Sequence, residues 1–600
     1  MAKANMKMKT KTSLSEKSFP FSEIGLLFIG LSLLFSFFPL ITRAWGLNYI
    51  AFFDGWIILL FYVLLVCFWL PQTNRYLVEK ISAISRKSTC AFLKKHRYVF
   101  FILVSIMAGG CFYLLKIKYI FLGDTDIRAK QIEDGVLFKA EYFTMLSLKY
   151  LLTILQKGFG YTGVQIIRLT DYISGSLFIF FSLCNANLLG NTFLKKAAAF
   201  VISTLSLTIL LQFCGYTEIY ALPALFLQAY LFTCLLYLND KTWFFVPALT
   251  LLISIAFHWM LVCMLPSLLF LLYRKVLGKY SFFRSRRNIL ILILVSLPFI
   301  YYAVNKYALP MMFPLQSEGR LLTMFSMAHF TEFFNSQLLG AGIGFLIWIT
   351  ILIYSPVHKM KYNAIHWFFL IASVSIIGLM FVFRMDRGSG DWDICSFAAI
   401  VCNPANACFL LTWNDEKICK NIKYGMLMIA GFSVLHTSMW ILTNKTDASI
   451  RWVETAFATD PGNYYQTSFN NEAMLAALFS SNGLDDRAIK WGKKAWLKYP
   501  DDHRMGYNYA NTLIGLNRKE EACPVLEQTV KTFPAYALPY ASLITLYLES
   551  RNYNALYRVL MQMEQVYKQA PEAFTSRLSQ AQLDSYFKIL EDFKKQIQEQ

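Results

Sequence analysis

The sequence predicts an all-α protein: a polytopic bundle of transmembrane helices followed by a soluble helical repeat domain. Of the 600 residues, 56% are hydrophobic and only 16% are charged, whereas soluble domains carry about 25% charged residues. Apolar runs long enough to cross a bilayer core of about 30 Å recur along the chain as far as residue 442. After Asn444 these runs stop, and the composition becomes that of a soluble helical domain with an internal repeat.

Thirteen apolar segments are predicted to be membrane spans, because a helix needs about 20 such residues to cross the bilayer core. These segments are 24–42, 50–70, 98–117, 163–189, 197–214, 219–238, 243–257, 259–273, 288–304, 341–355, 365–383, 394–413 and 424–442. The two short segments on either side of His258 predict a hairpin whose legs do not each cross fully. The predicted domains are the N-terminal tail with two additional spans and a basic loop, 1–97, the membrane core, 98–443, and the repeat domain, 444–600.

The N-terminus predicts a signal anchor that is not cleaved. Lysines from Lys3 to Lys17 precede an apolar run that begins at Ile24, as in a signal sequence. Residues 39–45 offer no small-residue cleavage site, and a second apolar segment follows directly. We therefore expect the first segment to stay in the membrane.

The distribution of basic residues predicts how the chain is oriented. The formal net charge is +20 at pH 7, and the basic residues gather in short loops between apolar segments, above all in 71–97 and 274–287. Such loops face the cytoplasm, so the charge reflects membrane topology and does not predict nucleic-acid binding. We expect a multi-pass protein of the plasma or inner membrane with a cytoplasmic N-terminus. Loops 118–162, 305–340 and 384–393, together with the C-terminal domain, are then extracytoplasmic.

The cysteines predict neither disulfides nor a zinc site. Eleven of the twelve lie between Cys67 and Cys419, inside or beside apolar segments, and only Cys523 lies in the polar C-terminal region. No CxxC pair and no His/Cys cluster has the spacing of zinc ligands. We expect these cysteines to act as small packing residues.

The C-terminal region has an internal repeat, in which similar residues recur 34 positions apart. The pairs that carry this period are Ala488 and Ala522, Trp496 and Val530, Tyr499 and Phe533, and Pro500 and Pro534. Small residues allow paired helices to approach closely, and proline ends a helix. The pattern resembles the tetratricopeptide repeat. A third unit is expected over 536–570, with Ala555 near the small position, and a capping helix over 578–598.

The first large outer loop is charged. It contains Asp124, Asp126, Arg128, Glu133 and Asp134 within a short stretch. Charged residues are costly beside the hydrocarbon core, so their presence indicates that the loop binds or acts on a polar group. An apolar run follows over 142–156, with Lys149 inside it and Lys157 directly after it, which predicts a helix lying along the membrane surface.

Three short motifs extend this pattern. They are Gly123-Asp124, the run Phe213-Cys214-Gly215-Tyr216-Thr217-Glu218-Ile219-Tyr220 between two spans, and Gly390-Asp391-Trp392-Asp393 at the mouth of a late span. With the surface helix and the many spans, residues 98–600 resemble the GT-C superfamily of membrane glycosyltransferases, and in particular bacterial members with C-terminal tetratricopeptide repeats. Many members carry two adjacent acids where this chain has Asp124-Thr125-Asp126, which leaves open which aspartate acts.

The resemblance implies transfer of a sugar from a polyprenyl-phosphate carrier to a hydroxyl of a protein, lipid or glycan, with inversion. A carboxylate must accept the proton of the attacking hydroxyl, and the candidates are Asp124, which we prefer, and Asp126. Glu218 is a second catalytic acid. The phosphate that leaves needs cations; the candidates are Arg384 and Arg387, then Arg128, His258, Lys306 and Arg320. Asp391 and Asp393 would support the site.

No cofactor is demanded by the sequence. The candidate is a divalent metal, magnesium or manganese, held by Asp124 and Glu218. The repeats would recruit the acceptor or bind a partner protein. In the simpler interpretation, the acids are solvated loop charges and the arginines are interfacial anchors.

Two alternative functions stay open. One is an O-antigen ligase or polymerase, although its expected long late outer loop, 305–340, carries only Lys306, Arg320 and His329 as basic candidates. The other is a membrane scaffold that acts through its repeats and has no enzymatic activity. The leading interpretation requires that Asp124, Glu218 and Arg384 converge on one cavity at the outer membrane face.

Overall fold

The structure of the chain is a computed structural model that describes residues 19–37, 45–85, 95–119, 125–137, 141–216, 218–275, 312, 323–357, 362–383, 392–412, 416–459 and 471–599. Helices dominate this part of the chain. It contains no β-strand, and the one β-bridge in it pairs Met312 with Phe383. The predicted all-α fold is therefore confirmed for the described residues.

The chain divides into two compact units near residue 460. The helix Ala448–Thr459 belongs to the first unit, and Arg451 in it donates a hydrogen bond of 3.0 Å from Nε to the carbonyl of Phe52. The change of composition after Asn444 therefore comes one helix before the structural division.

The first unit is a bundle of helices. Its helices of eight residues or more are Phe21–Phe37, Gly55–Trp69, Pro71–Ser85, Arg97–Leu114, Thr125–Asp134, Tyr142–Phe159, Gly163–Leu189, Phe193–Phe200, Ala221–Leu238, Phe245–Phe257, Leu265–Lys275, Met327–Ala341, Ile343–Val357, Ala364–Val382, Phe397–Thr412, Glu416–Lys445 and Ala448–Thr459. Twelve of the thirteen predicted spans overlap one of these helices, and the other, 288–304, lies outside the described residues.

The number of helices able to cross a bilayer is smaller than the number predicted. Six described helices are long and apolar enough, and the number is nine if each of three bent pairs forms one span. The predicted count of thirteen is therefore not confirmed. Several apolar segments form short or bent helices, and counting apolar residues does not detect a bend.

Two of the bends are held by polar contacts inside the protein. The chain turns by 72° between Phe193–Leu205 and Thr208–Cys214, and by 110° at Gly342, whose φ is 55°. The two breaks meet, since Thr208 Oγ1 donates to the carbonyl of Gly340 at 3.2 Å. Asn403 Nδ2 donates to Ser206 Oγ at 2.6 Å. Irregular backbone at membrane depth is tolerated where protein groups satisfy it in this way.

The helix Phe397–Thr412 lies at the centre of the bundle. All its residues from Phe397 to Leu411 are buried. The amide of Asn406 donates to the carbonyl of Gly344 at 2.7 Å, so this helix packs directly on the one that follows the 110° bend. Gly344 has no room for a side chain, because a Cβ there would lie 2.3 Å from Asn403 Oδ1.

Lysines gather at one end of the bundle. Lys195 Nζ donates to the carbonyl of Leu411 at 3.1 Å, and Lys196 Nζ donates to Asn187 Oδ1 at 2.6 Å. Cations are favoured where helices end, because the last carbonyls carry partial negative charge. The helices Ala221–Leu238 and Phe397–Thr412 both begin at the opposite end, where Tyr220 and Phe397 are in contact.

The second unit repeats one helix pair. Its helices are Asn471–Ser481, Asp485–Lys498, His503–Gly515, Lys519–Thr532, Ala537–Glu549, Tyr553–Gln569, the short Pro571–Thr575 and Gln580–Glu599. Three of them begin at Asp485, Lys519 and Tyr553, and the interval between successive starts equals the period seen in the sequence. The turns before them repeat too, since Gly483, Asn517 and Arg551 all have positive φ. The predicted period thus corresponds to a structural unit.

A buried acid ties the first pair of this unit together. Glu472 is 6% exposed and accepts hydrogen bonds from Lys498 Nζ at 2.6 Å and from the Tyr499 hydroxyl at 3.0 Å. Burial alone raises the pKa of Glu472, but these hydrogen bonds outweigh it, and the net pKa is lowered. An acid whose pKa is lower in the folded state stabilises the fold above its unfolded pKa, and that contribution is lost as pH falls through the folded pKa.

We therefore predict that Glu472→Gln lowers the free energy of unfolding of the second unit by about 1 kcal/mol at pH 7. The difference from the unaltered protein should be smaller at acidic pH than at pH 7, because this contribution is lost as pH falls through the folded pKa of Glu472. Urea unfolding at the two pH values, followed by hydrogen exchange in residues 471–499, measures it. Glu549→Gln is the control, because Glu549 pairs with Lys519 on the surface. An equal loss at both pH values would contradict the assignment.

Candidate functional site

Three ionisable side chains from separate segments meet at the end of the bundle opposite the lysines. Arg128 Nη2 lies 3.4 Å from Glu141 Oε2, and His258 Nε2 lies 3.9 Å from Glu141 Oε1. All three are buried, with 9%, 3% and 5% of their surface exposed, respectively. Charges buried this deeply are stable only when they are paired.

Arg128 is positioned by the helix Thr125–Asp134. Its Nη1 donates to Gln131 Oε1 at 3.0 Å, one turn further along. The helix is anchored to the long helix Gly163–Leu189, because Glu133 Oε1 accepts a hydrogen bond of 2.6 Å from the amide of Gly163. A carboxylate is favoured there because the amides at a helix N-terminus are unpaired and carry partial positive charge.

Glu141 directly precedes the helix Tyr142–Phe159, which confirms the helix predicted over 142–156. One face of this helix is buried through Met145, Leu148 and Leu152. The other face is apolar but exposed, with Phe143, Leu146, Tyr150 and Ile154. An exposed apolar face beside charged residues is typical of a helix at a membrane surface. Thr144 Oγ1 donates to the carbonyl of Phe257 at 2.7 Å, which joins the start of this helix to the His258 turn.

His258 lies between the helix Phe245–Phe257 and the turn Trp259–Met264, as the predicted hairpin requires. Its Nδ1 accepts a hydrogen bond of 3.3 Å from the amide of Met260, so Nε2 carries the proton and points towards Glu141. Burial, and then the charge of Arg128, lower the pKa of His258 to about 4. The imidazole is therefore neutral at pH 7, and Arg128 is the charge partner of Glu141.

The segment that contains Glu218 connects this cluster to the last predicted motif. Tyr220 packs its ring on His258 at 5.4 Å. Tyr216 accepts a hydrogen bond of 3.2 Å from Trp392 Nε1, and the two rings lie 5.2 Å apart. Glu218, between these tyrosines, is 3% exposed. Two motifs that are far apart in sequence therefore meet beside the Arg128, Glu141 and His258 cluster.

Asp393 directly follows Trp392 and is also buried, with 5% exposure. Its Oδ1 accepts a hydrogen bond of 2.9 Å from the amide of Ile394, at the start of a short helix. The structure thus brings four predicted site residues to one end of the bundle: Arg128, Glu218, His258 and Asp393.

The remaining predicted site residues lie outside the part that the structure describes. They are Asp124, Arg384, Arg387 and Asp391, together with the side chain of Asp126 and the lesser candidates Lys306 and Arg320. The backbone of Asp126 belongs to the first turn of the helix that carries Arg128. The expected convergence of Asp124, Glu218 and Arg384 therefore stays a prediction.

No metal site occurs among the described residues, in the sense that no three His, Cys, Asp or Glu side chains there are grouped to hold an ion. The predicted pair of metal ligands, Asp124 and Glu218, includes one residue outside this part. Binding of magnesium or manganese accordingly stays a prediction.

Two buried acids of the first unit were not predicted from the sequence. Glu141 stands before an apolar helix, where an acid usually caps the helix in solvent, and only the contact with Arg128 distinguishes it. Asp171 lies inside the long helix Gly163–Leu189 and is 1% exposed. An acid within an apolar segment of this length is a signal for a functional position, and it was available in the sequence.

Comparisons with known proteins identify no relative of this chain: no family model, no curated protein and no solved structure matches it.

The Arg128–Glu141 pair gives a testable prediction. Glu141→Gln leaves the Arg128 charge buried without its partner, which should destabilise the first unit by about 3–5 kcal/mol. The double variant Glu141→Gln, Arg128→Gln should recover part of that loss, because no unpaired charge stays buried. Thermal unfolding of the purified protein in detergent, followed by loss of the monodisperse gel-filtration peak, measures this.

The matched control is Asp134→Asn, which removes an exposed acid from the helix that carries Arg128. It should change the unfolding temperature little. If Glu141→Gln unfolds at the same temperature as the unaltered protein, the pair does not stabilise this end of the bundle.

Proposed function

We propose that the protein is a membrane glycosyltransferase of the GT-C type. It would transfer a sugar from a polyprenyl-phosphate carrier to an acceptor hydroxyl at the outer membrane face, in a single displacement with inversion. The observation that carries the proposal is that the segment around Glu218 contacts both Trp392 and His258. These contacts lie beside the helix that begins directly after Asp124.

The burial of this cluster supports the proposal. Electrostatic stabilisation is strongest where charged and polar groups are held in place away from water. Arg128, Glu141, Glu218 and Asp393 are all buried at one end of the bundle. The exposed apolar face of Tyr142–Phe159 provides a surface along which the hydrocarbon tail of a lipid carrier can lie.

The contacts divide the roles among the basic residues. Arg128 already binds Glu141 and Gln131, and both nitrogens of the neutral His258 face other protein groups. These two residues therefore fit the role of positioning the site better than the role of binding phosphate. We assign the carrier phosphate to Arg384 and Arg387, whose planar guanidinium groups match it.

The acids take the remaining roles in the proposal. Asp124 or Asp126 accepts the proton of the acceptor hydroxyl as it attacks the anomeric carbon. Glu218 orients the acceptor or, with Asp124, holds a divalent ion. Asp393 supports the turn on which Trp392 contacts Tyr216.

The finer architecture is part of the same proposal. Thirteen spans in a GT-C-like bundle would place the N-terminus in the cytoplasm and the repeats outside. The lysine contacts at the end opposite the site are consistent with this orientation, because positive loops face the cytoplasm. The regular recurrence of helix starts in the second unit supports a tetratricopeptide-like array.

A scaffold function is the second candidate, and one observation favours it. The second unit contains a cavity of about 460 Å³ between its first three helices, lined by small residues and by Asn508, Asn511 and Thr512. Amide side chains in a groove suit the binding of a polypeptide backbone. In the leading proposal this cavity recruits the acceptor or a partner protein.

Sugar transfer by the reconstituted protein tests the proposal. Proteoliposomes are supplied with a panel of polyprenyl-phosphate-linked hexoses and pentoses, and release of the polyprenyl phosphate is measured. We predict turnover of at least one donor, and a decrease of about 10²-fold or more for the variant Asp124→Asn, Asp126→Asn, since a general base contributes about 10²–10⁴.

The control is again Asp134→Asn, an exposed acid of the same segment. Transfer that survives in the double variant would contradict the proposed mechanism. If no donor is turned over, and the double variant instead loses binding of a partner protein, the scaffold function is favoured.

A further inference from the structure

The helix Asp485–Lys498 carries a stripe of exposed lysines. Lys490, Lys493, Lys494 and Leu497 follow the spacing of one helix face, and all four are exposed, Leu497 by 64%. The opposite face is buried in the second unit through Ala488, Trp491, Gly492 and Ala495. We call these four exposed residues the lysine stripe.

The charges of the lysine stripe are directed outwards. Lys490 and Lys494 lie over the ring of Trp491, with ammonium groups 5.5 Å and 4.4 Å from its centre. Glu472 is paired with Lys498 at 2.6 Å and lies 3.9 Å from Lys494. Among the described residues, Lys490 and Lys493 form no ion pair, so their charge is available to a partner.

The stripe is specific to the first of the repeated helices. The residues at the equivalent positions of the next unit are Pro524, Glu527, Gln528 and Lys531, and those of the unit after it are Arg558, Met561, Gln562 and Gln565. The lysines are therefore not part of the pattern that defines the repeat. At these positions in the second helix only Lys531 is basic, and the negative charge of Glu527 partly offsets its positive charge.

We propose that the lysine stripe binds the anionic phospholipid headgroups of the bilayer in which the first unit is embedded. Clustered lysines attract anionic lipid, and an exposed leucine among them can enter the headgroup region. Only the stretch 446–484 separates this helix from Lys445, which ends the last span-length helix. This tether keeps the local concentration of lipid high. The inference does not depend on sugar transfer.

Hydrogen exchange of the full-length protein in nanodiscs tests this proposal. One set of discs contains only phosphatidylcholine, and the other contains an equimolar mixture of phosphatidylcholine and phosphatidylglycerol. At low salt, we expect residues 485–498 to exchange at least threefold more slowly in the anionic discs. The difference should vanish at high salt, because the attraction of exposed charges is screened.

Two variants assign the effect to the stripe. K490Q/K493Q should abolish the lipid-dependent protection while leaving the Lys494 and Lys498 contacts with Glu472 intact. K490R/K493R should retain the protection. The matched control is K519Q/K531Q, which removes two lysines from the next helix and should leave residues 485–498 protected.

The exchange of residues 537–549 shows whether each variant is folded. Equal exchange of residues 485–498 in both kinds of disc, or protection that persists in folded K490Q/K493Q, would overturn the proposal. If an added soluble anionic protein slowed the exchange of residues 485–498 equally in both kinds of disc, and no lipid-dependent difference were seen, the stripe would be a protein-binding surface and the proposal would equally be overturned.

Discussion

The pairing of buried charge is the constraint on which the site end of the bundle depends. Arg128 and Glu141 lie 3.4 Å apart with little access to water, and burying either charge without the other would destabilise the fold by about 3–5 kcal/mol. Because they belong to separate segments, their pairing fixes the Thr125–Asp134 helix against the surface helix that starts at Tyr142. His258 then extends this contact to the turn on which Tyr220 packs. One electrostatic requirement thus positions the segments that carry Arg128, His258 and Glu218.

Uncharged polar groups in the interior of the bundle must likewise be paired, because they are buried away from water. The helix breaks near Ser206 and at Gly342 lie among buried residues. Thr208 and Asn403 donate hydrogen bonds across these breaks, to the carbonyl of Gly340 and to the hydroxyl of Ser206. The glycines at 340 and 344 provide the space for this close approach. The bundle can therefore bend inside the membrane and still present an ordered site at one end.

Long-range patterns in the sequence predicted the helices well. The span 163–189 coincides with the helix Gly163–Leu189, and the period of the C-terminal repeat recurs in the helix starts of the second unit. The bend near Ser206 was not predicted, because the chain is apolar on both sides of it and has no proline at the break. The bend at Gly342 was not predicted, because the polar residues before it indicated an outer loop, whereas the structure has the helix Met327–Ala341 there. Part of the site was predicted from its residue types, including Glu218 and His258. The role of Glu141 was not, because it follows from its partner Arg128, which only the fold brings into contact.

Photochemical labelling of the full-length protein tests the central claim most directly. A polyprenyl-phosphate hexose with a photoreactive group next to the phosphate is irradiated with the reconstituted protein, and the labelled peptides are identified by mass spectrometry. The account predicts label in residues 125–141, 213–220 and 384–393, and competition by unmodified carrier. Label confined to the lysine-rich end of the bundle, around residues 192–196, or to the repeats would contradict it.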